Sequence, residues 1–209
     1  MVTRQLSDNQ YPDFLLNGGP IAFVLKALSD RLKIAFQEKI FTHHIIAPNA
    51  GKKMWDAVLK TSPLVAVSFA SWKRSSRLSS GFFRGDLTFP VFIALQHNTP
   101  EALMLGSGQL RGMGVAGVMS MAAAMLDGWT LDGVGTAEMQ VAELPPTADW
   151  LEERMALVAL NIVFPDVGFD AGSDAAMLDG LNDFLQLAEK SQVNGQAEPD
   201  AVLNVRDQK

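Results

Sequence analysis

Three histidines, His43, His44 and His97, are the first residues to weigh for chemistry. Imidazole binds transition metals and moves protons near neutral pH. His43 and His44 are neighbours in a β-prone stretch, where adjacent side chains point to opposite faces, so one metal cannot readily take both. No carboxylate stands at helical spacing from them as in His-Glu-x-x-His. They read as polar residues at strand ends. The chain has no cysteine, which excludes disulfides, thiolate metal sites and cysteine nucleophiles together.

Gly106-x-Gly108-x-x-x-Gly112 has the look of a phosphate-cradling loop. A dinucleotide fingerprint needs its glycines directly after a strand, then a helix and a later acid. Here the preceding strand ends well before Gly106, and no Gly-Lys-Ser/Thr follows. Gly112, Ala116, Ser120 and Ala124 recur every four residues, which reads as a small stripe for close packing of a helix. No Gly-x-Ser-x-Gly pentapeptide is present for a serine nucleophile, and Glu152-Glu153 stands in a polar turn. Neither a catalytic residue nor a metal or cofactor is expected from these patterns.

Lys73, Arg74, Arg77 and Arg84 lie in a serine- and glycine-containing loop with Trp72, Phe82 and Phe83 close by. Basic and aromatic residues together suit either nucleic acid or anchors at a subunit interface. The net charge of −6 disfavours bulk attraction to nucleic acid or anionic lipid. A second interface candidate is the apolar stripe of Met177, Leu178, Leu181, Phe184, Leu185 and Leu187, spaced as on an amphipathic helix. The candidate subunit-interface residues are therefore Arg74, Arg77, Phe82, Phe83 and Arg84, with Leu178, Leu181, Phe184 and Leu185.

The elements that would carry these residues are legible in the pattern. Pro20 opens a helix whose apolar residues Val24, Leu25, Leu28, Leu32 and Phe36 form one face. Residues 41–47 are β-prone, 48–51 turn the chain, and 52–59 form a brief helix. Residues 63–72 read as a strand with Val65, Val67 and Phe69 toward a core. Residues 87–97 form a second strand, with Pro90 calling for an edge position or a bulge. Thr99 and Pro100 start a helix that Gly106–Gly108 interrupts, and residues 110–126 continue it to Asp127-Gly128. Residues 134–144 and 154–164 are further strands, the last apolar on both faces and so central.

Composition is that of an ordinary globular domain, 48% hydrophobic and 19% charged. The apolar run 113–126 is shorter than the roughly 20 residues of a membrane span, so no membrane is expected. The polar start lacks the apolar core of a signal peptide, and an intracellular or virion setting is expected.

The run Pro-Leu-Val-Ala-Val-Ser-Phe (63–69), the long loop, Phe-Pro-Val-Phe-Ile-Ala (89–94) leading to His97-Asn98, the glycine-containing helix 112–126 and the closing Leu-Asn-Ile-Val-Phe (160–164) follow one another in an order that resembles the tail terminator proteins of Mu-like contractile-tailed phages. The resemblance covers roughly residues 20–166. It implies an α+β domain (20–168), with a mostly antiparallel or mixed sheet of about four to five strands flanked by two or three helices. Around it stand an N-terminal extension (1–19), an amphipathic helix (169–190) and a polar tail (191–209). It further implies a structural, non-enzymatic role in the virion: a homo-oligomeric ring, hexameric in the family, that caps the tail tube protein. The ring would meet the head–tail connector and the sheath, and DNA would pass through its lumen without specific binding. Other readings of the same residues are a different neck or head–tail joining protein, or a small hydrolase or cofactor-binding enzyme suggested by the glycines and histidines. A nucleic-acid adaptor built on the basic loop is a further one.

Overall fold

The computed structural model describes residues 13–47, 50–75, 83–109, 111–145 and 154–169. The chain divides into two units, Asn17–Ser173 and Met1–Leu16 with Asp174–Lys209. A short helix α1 (Asp13–Asn17) comes first, and everything below concerns the larger unit.

The helix expected from Pro20 is α2 (Gly19–Ala35), with the proline in its first turn. Its Val24, Leu28 and Leu32 are fully buried, as their three- and four-residue spacing requires. There follow β1 (Thr42–Ile46), α3 (Lys52–Leu59), β2 (Leu64–Ser68), β3 (Ser71–Arg74) and β4 (Arg84–Gln96). Next come α4 (Pro100–Leu105), α5 (Val115–Leu126), the small pair β5 (Thr130–Leu131) and β6 (Gly135–Thr136), β7 (Glu138–Glu143) and β8 (Met155–Gly168). The expected α+β class is what the chain adopts: a six-stranded mixed sheet runs β1-β2-β4-β8-β7, with β3 also paired to β4. Strand β8 lies between β4 and β7, the central position its two apolar faces call for.

The two faces of the sheet are covered differently. On one, Val65, Val67, Phe89, Val91, Ile93, Leu160, Ile162 and Phe164 pack against α2 and α5 in the main core. Phe164 sets its ring edge-on to both Phe89 and Trp129. On the other face, Leu64, Ala66 and Ala94 form a smaller cluster beneath Trp55, Val58 and Leu59 of α3. Strand β2 is therefore buried on both sides, where the sequence pattern called for one core-facing set.

Residues 63–74 are a single strand direction broken by a bulge. Val67 pairs with Val91 and Ser71 with Thr88, so four steps on one strand oppose three on the other. Pro90 lies opposite this break. Thr88 O accepts from Ala70 N on the same side of β4, so the missing N–H of Pro90 faces the place where no ladder needs it. The bulge expected from Pro90 is present, but the edge position is not: β4 is interior.

The expected cap of α4 is present, and two expectations for α5 are adjusted. Thr99 caps α4 through its hydroxyl, which accepts from Ala102 N at 3.4 Å. Helix α5 begins at Val115, later than expected, because a Cβ at Gly114 would sit 2.2 Å from Gly106 N, holding the segment extended against the end of α4. With that start, the helical phase turns Val118, Ala122 and Leu126 inward, and Ala116, Ser120 and Ala124 face outward. The small stripe does not mediate packing onto the sheet. Arg31 ties α2 to the end of α5, its Nε donating to Met125 O at 3.2 Å while its guanidinium lies over Trp129.

Candidate functional site: a cleft at the ends of the parallel strands

The stretch β1–α3–β2 is a βαβ unit, with β1 and β2 parallel and in register from Thr42 opposite Leu64 to Ile46 opposite Ser68. In open sheets of this kind, ligands settle outside the carboxyl ends of parallel strands, where the loop into the helix begins. That is where this chain carries a cleft of about 310 Å³.

Each wall has a local cause. Ile46 and Ser68 are the last residues of their strands, and the Ser68 hydroxyl, 7% exposed, donates to Ile46 O at 2.9 Å. This bond clamps the two strand ends together. Ala47 and Ala50, small residues after β1, leave room at the mouth. Pro90 and Phe92 of β4 form the floor, and the bulge residues Phe69 and Ala70 form one side. Trp55 closes the opposite wall, its ring in edge-on contact with Phe92 at a centroid distance of 5.0 Å. Helix α3 delivers it because Trp55, Val58 and Leu59 share the face that packs on the sheet. None of the lining residues is ionisable. The cleft can therefore take a planar apolar body by edge-to-face and stacking contact.

The residues singled out in the sequence lie elsewhere. His43 and His44 diverge as strand geometry requires: His43 Nε2 meets Phe36 O at 2.5 Å on the helix side, and His44 Nε2 meets Thr61 Oγ1 at 3.0 Å on the other. Burial holds the His43 imidazole below its ordinary value of 6.5, a lowering that its contact with Phe36 O only partly offsets. His97 Nε2 meets Met113 O at 3.1 Å. Among the described residues no three His, Asp or Glu cluster as metal ligands.

Of the basic residues, Arg84 is engaged within the chain. Arg84 Nε donates to Asp166 Oδ2 at 3.3 Å, and another guanidinium nitrogen donates to Asp166 O at 2.7 Å. Asp166 itself holds a left-handed backbone, φ 54°, with its N–H donating to Asp86 Oδ1. Phe83 packs with Trp72 and Phe169 in a three-ring cluster. Arg74 is exposed at the end of β3. Arg77 and Phe82, and Leu178, Leu181, Phe184 and Leu185, lie outside the described residues. The cleft residues were missed by sequence reasoning. The available signal was the succession β-prone 41–47, turn, helix 52–59, strand from 63, which is a βαβ order.

The chain matches no family model and no curated protein. Among solved structures it is matched to the biotin acetyl coenzyme A carboxylase synthetase from Helicobacter pylori with bound biotinylated ATP. The two are 15% identical, with 72% of this chain and 80% of that chain covered, at a TM-score of 0.23. That structure is of an enzyme and not of a phage component. The comparisons lend no support to a tail-capping subunit, and neither that expectation nor that of a chain with no enzymatic role is kept.

Proposed function

We propose that this chain binds a small organic molecule with a planar apolar body in the cleft at the carboxyl ends of β1 and β2. The observation that carries the reading is the cleft itself, about 310 Å³ beside the Trp55–Phe92 ring pair. This volume lies at the small end of the roughly 300–1,000 Å³ of ligand sites. Its position fits the general rule for parallel strands.

The test is a fluorescence titration with N-phenyl-1-naphthylamine, a neutral aromatic probe. Ala70 lines the cleft and is exposed, so Ala70→Arg fills the space without disturbing the core. Saturable binding by the parent chain, weakened at least tenfold by A70R, is the expected result. Binding that A70R leaves unchanged, or no saturable binding at all, overturns the proposal.

A further inference from the structure

We infer that β1 is a self-association edge, at which two copies of this chain pair antiparallel with His44 of each at the two-fold axis. The inference does not rest on the binding role of the cleft. The path of the sheet ends on β1 and on β7, and the two ends are built differently. Strand β7 is guarded against further pairing. It has a bulge between Met139 and Val141, exposes Glu138 and Glu143, and has its Met139 N–H taken by Asp127 Oδ1 at 3.0 Å. The short β3, open on its side away from β4, exposes Lys73 and Arg74. Strand β1, Thr42–Ile46, has no bulge, proline, lysine or carboxylate.

The backbone of β1 is set for a partner. Thr42 N donates to Pro63 O at 3.0 Å. With the parallel register, Thr42, His44 and Ile46 then turn their backbone groups toward β2, and His43 and Ile45 turn theirs outward. Among the described residues no hydrogen-bond partner meets those four outward groups. The occupant follows from the strand's own pattern. When two copies pair about His44, His43 of each falls opposite Ile45 of the other, and the outward groups close four reciprocal hydrogen bonds. A centre on His43 or on Ile45 would join only one such pair within β1. Ile45 is 56% exposed and shares the face of His43 by alternation, so each isoleucine comes to lie beside the other copy's imidazole. The strand has no Lys, Arg, Asp or Glu, so charge does not repel a like edge. Two five-residue edges make an interface well below the standard size of about 1,600 Å². The association is therefore weak and reversible, in the micromolar range.

The experiment is analytical ultracentrifugation of the full chain over a concentration series reaching about 200 µM, which spans such affinities. The parent chain should pass reversibly from monomer to dimer. Ile45→Lys puts a charge at an exposed position on the open edge and should weaken the dimer at least tenfold. The chain has no cysteine, so single cysteines read the register. Position 44 meets its own copy as a non-hydrogen-bonded pair with Cα atoms about 4.5 Å apart, within disulfide reach. His44→Cys should therefore cross-link under mild oxidation, and Thr42→Cys, which falls opposite Ile46, should not. A parent chain that stays monomeric throughout overturns the proposal. So does association that I45K leaves unchanged, or cross-linking of T42C as rapid as that of H44C.

Discussion

The imidazole of His43 shows how a half-buried side chain sets a pH dependence of stability. Burial holds its folded-state value below 6.5, with the ring against Phe36 O. Above about pH 6.5 both folded and unfolded chains carry it neutral, and its contribution to stability is complete. As pH falls below that value the unfolded chain takes up a proton first. Stability therefore drops until the folded value is reached, and then levels. Urea unfolding at pH 7.5, 6 and 5 should show this decline in the parent chain and a shallower one in His43→Gln. An equal slope in both would remove His43 as its source. This histidine was visible in the sequence, but its burial was not, because that depends on α2 ending beside β1.

At the scale of elements, two glycines of similar appearance in sequence take opposite parts. Gly114 is wedged between the end of α4 and the start of α5, and an added methyl would meet the backbone of Met104, Leu105 and Gly106. Gly114→Ala should cost about 2 kcal/mol or more, because backbone on two elements must shift. Gly117 stands in the first turn of α5 with open space around its Cα, so Gly117→Ala should add about 0.5–1 kcal/mol through helix propensity. Chemical denaturation of the two variants beside the parent measures both signs. Much at this scale was legible: α2, α3, the Thr99 cap and the core face of β4 follow from spacing and capping residues. The late start of α5 was not, since it depends on a backbone contact between Gly106 and Gly114. Nor was the parallel pairing of β1 with β2, which local periodicity does not encode, and the cleft went unseen with it.

At the scale of the whole molecule, a ligand that binds only the folded chain stabilises it by mass action, by about 2.7 kcal/mol at a hundredfold excess over Kd. Thermal unfolding with N-phenyl-1-naphthylamine should therefore shift upward in the parent chain and not in A70R. A shift of equal size in both would point to binding elsewhere. The extra residue in the bulge at 68–70 also governs which sequence changes the protein can survive. It reverses the parity of the strand, so that Val65 and Val67 before it and Trp72 after it reach the same interior. A deletion of one residue there would leave Val67 and Trp72 four steps apart, as Val91 and Leu87 are, and the regular ladder so formed would call on the N–H that Pro90 lacks. Homologues should therefore keep the extra residue wherever they keep a proline at position 90.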